Sequence, residues 1–559
     1  MFIRLKKSSS GKTKVQLCEA IREGKKVRQV IIRHIGVAQD KKHLEELKRL
    51  ALVLKAKIKD EREGPFLFAM DQIEKKEKCH EICEIKKNEE PKKEEKQLVD
   101  LNNLTEETRA VEGFHDIFGP IFDSLGFNAI LPKKKSEVLK HLVLARIANP
   151  ASKHRTQSIL TADFGIEIHI DRIYRMLDSL IQNRVAFENK VFQATQQLCF
   201  AKINMILFDV TTLYFESFDE DDLRKFGYSK DQKFNMTQVV LALATTEDGL
   251  PVGYKTFPGN TADVSTLQKA LKQWREELPI GEIQIIGDAA MMSESNLQAL
   301  EEAKIKYVIA AKLKKLPNLI QKQLLNKKGA HISINNETYY KHEFDLPNNR
   351  RLVVTYNEKR AKKNKKDRTR AVEKMIKKIG KGKNVKKLAN RGYQKYLKIE
   401  GEGKLLIDDQ KLTEAETWDG LHGVISNDQD ASAKDLLLTY KRLWKIEESF
   451  RIQKTNLSIR PIYHFKTERI EAHILLCYLA FSMIRYAEHR IKLQKEEMSI
   501  EEIRSTLWRT QSSLLKDYKT GNYYKVPSNP TTNAKKIYQT FGLIRNQKIQ
   551  KIATCSAQN

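Results

Sequence analysis

The chain has 559 residues with 101 Lys and Arg against 72 Asp and Glu, a formal net charge of +29 at pH 7. An excess of that size selects a polyanionic partner, nucleic acid first and an anionic membrane surface second. No apolar run approaches the roughly 18–20 residues that span a bilayer, and Met1-Phe-Ile-Arg-Leu-Lys6 lacks the apolar stretch of a signal peptide, so a cytoplasmic, nucleoid-associated protein with no membrane partner is expected.

Three or four domains suit this length. The cysteines at 18, 79, 83, 199, 477 and 555 are few and scattered, as in a reducing compartment. Cys79-His80 and Cys83 have no second Cys/His pair nearby to complete a tetrahedral zinc site.

In chain order, Phe2-Ile-Arg-Leu5, Val15-Gln-Leu-Cys18 and Val27-Arg-Gln-Val-Ile-Ile32 read as short strands. The turn formers Ser8 to Gly11 and Glu23-Gly24-Lys25 separate them, which predicts a small antiparallel sheet. With a helix over 41–58 it makes a domain at 1–60, followed by a charged linker at 61–104 dominated by Lys and Glu. Residues 105–200 predict a helical block: Ser136 to Ala148 stopped by Asn149-Pro150, then Lys153 to Leu160, then Asp171 to Ile181 with Asp171 as cap. Its Lys153, His154, Arg155, Arg172 and Arg175 suit either a DNA-binding bundle of helix-turn-helix type or a plain helical domain with a basic surface.

At 203 the periodicity changes to an apolar strand, Ile203 to Phe215, interrupted by Asp209. A carboxylate there must be paired, hydrogen-bonded or metal-bound, because desolvating it alone is too costly. Val239 to Ala244 and Leu250 to Phe257, joined across Glu247-Asp-Gly249, complete a three-stranded meander. A helix over 263–277 leads to Ile283-Gln-Ile-Ile-Gly-Asp288, a second apolar strand ending in a carboxylate at the edge where ligands bind. Further on, Tyr440, Glu447 and Lys454 recur every seven residues. On an α-helix that spacing drifts only about 20° per step and predicts one stripe, a carboxylate with a cation two turns away; the bland alternative is a solvated polar face.

In this order, Phe208-Asp209-Val-Thr-Thr-Leu-Tyr-Phe215, Gly227-Tyr-Ser-Lys-Asp231, Gly259-Asn260-Thr261, Gly287-Asp288-Ala-Ala-Met291, Trp444-Lys-Ile-Glu447-Glu-Ser-Phe-Arg-Ile-Gln-Lys454 and Arg460-Pro-Ile-Tyr-His464 resemble the DDE transposases of bacterial insertion sequences. The nearest resemblance is to the insertion-sequence-four superfamily, sixteen-thirty-four-type branch. It implies an α/β (α+β) fold: a ribonuclease H-like core at 201–304 and 433–500, a mainly β insertion at 305–432, a helical DNA-binding region at 105–200 and a basic tail at 501–559.

The resemblance makes Asp209, Asp288 and Glu447 the catalytic, metal-binding triad, holding two Mg²⁺ or Mn²⁺ ions, as an all-oxygen set favours. Glu448 is the competing neighbour of Glu447. Tyr440 and Lys454 match the family's tyrosine, arginine, glutamate and lysine signature, but the signature arginine falls on Leu443, with Arg442 beside it. Arg442, Arg451 and Trp418 join Tyr440 and Lys454 as DNA-contact candidates. Trp418 suits either stacking on an extruded base or burial in a sheet, and the run Lys359 to Arg370 either a solvated helix face or a nonspecific grip on donor DNA. The implied activity is cleavage at element ends and strand transfer into target DNA, by a homodimer on terminal inverted repeats. The alternatives are a catalytically inactive, transposase-derived DNA-binding protein and, more weakly, a plain nuclease.

Overall fold

The computed structural model describes residues 2–7, 13–23, 26–38, 99–199, 203, 205–217, 219–227, 236–261, 263–277, 284–288, 293–334, 337–379, 396–400, 404–494 and 496–552. The expected helix at 41–58, the linker up to residue 98, the Cys79 and Cys83 pair, and the motif residues 228–231 and 289–291 lie outside them. Two units are formed, one from residues 1–124 with 487–559 and one from 125–486.

In the first unit, β1 (Phe2–Lys7), β2 (Thr13–Glu23) and β3 (Lys26–Ala38) form the expected antiparallel sheet, with Ile3 opposite Leu17. The expected helical block begins instead with a strand, β4 (Leu104–Val111). Helix α1 (Gly113–Ser124) then buries Phe114, Ile117, Phe118, Ile121 and Phe122 at helical spacing.

In the second unit, α2 (Lys133–Ala148) ends at Asn149 before Pro150, and α3 (Lys153–Phe164) starts at Ser152, whose hydroxyl accepts from Arg155 N. Helices α4 (Ile170–Gln182) and α5 (Arg184–Leu198) follow. The cap of α4 is His169, whose Nδ1 accepts from Asp171 N at 3.3 Å; Asp171 lies in the first turn, where the helix dipole still favours it. Lys153 is not a surface cation. It is buried and donates to His473 Nδ1 at 3.0 Å, which takes it out of the basic set and leaves His154, Arg155, Arg172 and Arg175 exposed.

The meander is β5 (Met205–Tyr214), β6 (Gln238–Thr245) and β7 (Pro251–Pro258), all antiparallel. Helix α6 (Asp263–Glu277) crosses to β8 (Gln284–Gly287), and α7 (Glu294–Glu302) to β9 (Lys306–Ala310); β8 runs parallel to both β5 and β9. After α8 (Asn318–Leu325) come β10 (Ala330–Ile334), β11 (Glu337–Leu346), β12 (Arg350–Tyr356), α9 (Glu358–Ile379), β13 (Leu397–Glu400), β14 (Lys404–Ile407), α10 (Asp409–Thr417) and β15 (Leu421–Ser426). Most of these inserted strands extend the core sheet. One nine-stranded mixed sheet runs β10-β11-β12-β15-β9-β8-β5-β6-β7, and only β13 and β14 pair apart from it.

Ile206, Phe208 and Val210 of β5 pack with Val240, Ala242, Trp274 and Leu297 in one core, with the Phe208 and Trp274 rings 5.8 Å apart. Asp209, in the alternate register, faces the other side. The row Asp209, Leu243, Tyr254 lies there, and Tyr254 meets Tyr478 at 4.7 Å between ring centroids. Three helices follow: α11 (Ala433–Lys441), α12 (Trp444–Arg451) and α13 (Thr467–Leu493). In length and composition α13 would suit a bilayer, but 94% of its most apolar window is buried inside the protein, as in a core helix.

The chain then returns to the first unit through α14 (Ile500–Trp508), β16 (Gln511–Asp517), β17 (Tyr523–Pro527), α15 (Thr532–Thr540) and β18 (Gln550–Ile552). The sheet order is β18-β17-β16-β4, so the basic tail supplies the partners that turn residues 104–111 into a strand. Arg545 ties it together, donating to Gln511 O at 2.5 Å and pairing with Glu112 at 3.3 Å and Asp116 at 3.4 Å. Arg545→Ala is expected to cost about 2–3 kcal/mol in urea denaturation. That is below the ~3–5 kcal/mol of a fully buried pair because both carboxylates keep some solvent.

Candidate active site

The two aspartates are positioned by strand register. In the parallel pair, Met205 lies opposite Gln284, Ile206 opposite Ile285 and Leu207 opposite Ile286. The pairing ends there; continued by two residues, the register sets Asp288, just past β8, level with Asp209 of β5 at a spacing of about 4.8 Å, as between neighbouring strands. Asp209 is half-buried, and its Oδ1 accepts from Val210 N at 2.8 Å. Asp288 follows the last residue of β8 and is exposed.

The segment carrying the third carboxylate is not one regular helix. Between α11 and α12 the hydrogen bonds shorten to i−3: Arg442 N to Thr439 O, Leu443 N to Tyr440 O, Lys445 N to Arg442 O and Ile446 N to Leu443 O. After α12, residues Ile452–Asn456 widen into a π-turn that contains Lys454, with Leu457 N bonding Ile452 O at 2.9 Å. The seven-residue stripe therefore crosses a tightened turn and then a widened one. Helix α12 packs on β5 and β6 through buried Ile446, Ser449 and Phe450, which leaves Glu447 exposed.

Tyr440 is the point where the three acids meet electrostatically. Burial first, then Asp288, with Glu447 and Asp209 adding to it, push its hydroxyl up to about 12, while Arg360 pulls the other way. Tyr440 thus stays protonated at neutral pH. Its ring lies 5.1 Å from that of His422, which burial and then the cations Arg360 and Lys441 push down to about 4, so His422 is neutral. His422 was not expected at the site and belongs to no recognisable local motif, whereas Arg360 lies in the basic run Lys359 to Arg370, for which a solvated face and a grip on DNA were both open. Strand β15 brings in the first and the helix after β12 the second.

Glu448 is occupied elsewhere. Its Oε2 accepts from buried Arg485 at 3.0 Å and Lys445 at 3.3 Å, and although burial opposes it, these cations hold its carboxyl below the usual range. Arg442 pairs with Glu247 in the β6–β7 turn, and Leu443 is buried. Arg451 is exposed and 3.8 Å from Glu448. Trp418 follows α10, half-buried against the cluster of Leu324, Leu352, Val354 and Leu421, with Lys314 5.7 Å from its ring centre. It is neither a strand residue nor in contact with the acids.

Two motif glycines have a steric explanation: a Cβ on Gly259 would fall on the carbonyl oxygens of Gln238 and Lys225, and one on Gly227 on the carbonyl of Gly259. The chain after β5 is thereby laid against the end of the meander. Arg460 stacks over Tyr214, the last residue of β5, at 5.0 Å.

Among the described residues no three His, Cys, Asp or Glu are grouped closely enough to hold one metal ion. Mg²⁺ commonly takes one or two carboxylates and completes its shell with water and substrate phosphate, and the oxygen-only chemistry of Asp209, Asp288 and Glu447 fits such an ion.

The family model described as "Transposase DDE domain" matches residues 201–483, which is half of the chain. The protein belongs to that family. It is a DNA transposase, and the family implies nuclease and transesterification chemistry on DNA. No curated protein matches the sequence. Among solved structures, a piggyBac transposase synaptic complex with hairpin DNA is similar at 11% identity and a TM-score of 0.36, over 71% of this chain and 77% of that one.

For the transposase, Glu448→Gln leaves buried Arg485 without its carboxylate and is expected to cost about 1–3 kcal/mol, less than a fully buried pair. Glu447→Gln, at an exposed position, is expected to stay within about 0.5 kcal/mol. Urea denaturation of both variants checks the contrast.

Because the folded-state value of His422 lies below its ordinary 6.5, folding stability is full above that value. Stability is lost as pH falls from there toward 4. His422→Asn is expected to flatten the dependence of melting temperature on pH over that window.

Proposed function

We propose that the transposase moves a bacterial insertion sequence of the insertion-sequence-four superfamily, sixteen-thirty-four-type branch, through a ribonuclease H-like core that uses Asp209, Asp288 and Glu447 as its catalytic carboxylates. The strand order β7-β6-β5-β8-β9, with the first three antiparallel and β8 and β9 parallel to β5, supports the core assignment. The observation that carries the site is Tyr440, half-buried, with its hydroxyl acted on by all three carboxylates, from β5, the end of β8 and α12.

On this reading Asp209, Asp288 and Glu447 would hold two Mg²⁺ or Mn²⁺ ions. Bound there, such ions activate water or a 3′-hydroxyl and neutralise charge developing at phosphorus. Tyr440, kept protonated, donates a hydrogen bond to a phosphate oxygen, and Lys454 neutralises the phosphate next to the cut. Hydrolysis at an element end and joining of its 3′-hydroxyl to target DNA are both in-line displacements at a phosphodiester, so one set of residues serves both.

The partners are the terminal inverted repeats and target duplex, held by a homodimer in the cytoplasm, on the nucleoid. The net charge of +29 supports tight, salt-dependent binding.

The test uses purified protein, Mg²⁺ and labelled element ends. Asp209→Asn, Asp288→Asn and Glu447→Gln are each expected to abolish cleavage and strand transfer while sparing DNA binding, since each keeps shape and removes the ligand charge. Strong cleavage by any one of them removes that residue from the triad. Wild-type protein that binds ends without cutting them establishes the inactive alternative.

A further inference from the structure

The inserted helix α9 is held in place by paired groups. Lys359 Nζ lies 2.7 Å from Glu337, and Arg368 lies 2.7 Å from Asp419 and 3.1 Å from Glu416. Asn364 Oδ1 accepts from Gly420 N at 3.2 Å, and Asn357 Oδ1 caps the helix by accepting from Arg360 N at 3.1 Å. The helix leaves β12 just after Thr355, which lies opposite His422 in the β12–β15 ladder, and His422 faces Tyr440. Arg360 is therefore carried, one turn into a fixed helix, to the wall of the site formed by Tyr440, His422 and Tyr339.

Unlike Lys359 and Arg368, Arg360 has no carboxylate partner among the described residues. Its electrostatic neighbours are the Tyr440 and Tyr339 hydroxyls, and crowding holds its guanidinium below the ordinary arginine range although it keeps contact with solvent. An exposed guanidinium with no carboxylate partner is open to an anion, and it suits a phosphate diester through paired N–H donors. From the segment that bears Tyr440 and Glu447, Lys441 reaches the Tyr339 side of this wall and donates to the Tyr339 hydroxyl at 3.3 Å, whereas Arg442 is engaged by Glu247 and Leu443 is buried.

We propose that Arg360, supplied by the inserted helix, contacts a phosphate of the DNA end at this active site. The proposal rests on the triad reading above and extends it to a residue outside the catalytic strands and helices.

Full-length protein, Mg²⁺ and a labelled duplex carrying the terminal repeat that flanks its own coding sequence provide the test. Arg360→Ala is expected to slow end cleavage by about ten- to a hundredfold, the loss typical of a hydrogen bond to a charged group. It should also reduce the slope of log affinity against log salt by about one, with the melting temperature unchanged. Arg360→Lys should keep the slope and recover part of the rate.

Wild-type cleavage by Arg360→Ala, in an assay where Asp288→Asn is inactive, overturns the proposal and leaves the triad standing. Cleavage by Asp288→Asn overturns the triad reading itself. A cleavage loss that tracks a lower melting temperature with an unchanged salt slope, in Arg360→Ala and Arg360→Gln alike, makes the residue structural and also overturns the proposal.

Discussion

The parallel register between β5 and β8 is the constraint on which the candidate site depends. A carboxylate on a strand flanked by buried Phe208 and Val210 carries a desolvation cost that only a partner or a cation offsets. Ending β8 at Gly287, one residue before Asp288, lets the second acid reach solvent while the register keeps it level with Asp209. The cost of the buried strand and the opening at its end together leave two acids level with one another at the solvent-reaching end of β8.

The helical segment opposite is shaped to match. A 3₁₀ turn rotates about 120° per residue against about 100° in an α-helix, and a π-turn rotates less. The tightening at 442–446 and the widening at 452–456 therefore change the angular offsets among Tyr440, Glu447 and Lys454 in opposite senses. Both departures fall within the segment that carries Tyr440, Glu447 and Lys454, and π-turns are frequent at functional sites.

The chain beyond the π-turn is pinned by a buried polar network. Arg146 donates to Leu457 O at 3.3 Å and Ser458 O at 3.4 Å. Lys153 donates to His473 Nδ1, which puts the imidazole proton on Nε2, and that atom donates to Ile459 O at 3.0 Å. Burial and then the charge of Arg146 push Lys153 down to about 7. A lysine that sequence patterning places on a basic surface, DNA-binding or plain, is spent holding the segment that follows Lys454, because such networks give a unique geometry only when their members are satisfied.

The meander, the crossover helix at 263–277, the short strand before Asp288 and the acidic positions were legible in the sequence, because strand alternation, helix period and turn residues are local signals. The three recurring residues at 440, 447 and 454 were legible as a pattern, but their true angles were not, since backbone tightening and widening leave no mark on spacing. Three further features were decided by tertiary structure alone: residues 104–111 becoming a strand, the inserted strands joining the core sheet, and Glu448 rather than Glu447 being taken by Arg485. Each depends on a partner far away in the chain, Gln511 opposite Val111 or Arg485 beside Glu448, and a contact between distant residues has no period to read. The basic run that contains Arg360 was legible, with its alternatives open, but the nearness of Arg360 and His422 to Tyr440 was not, because β12, β15 and the helix after β12 carry them there.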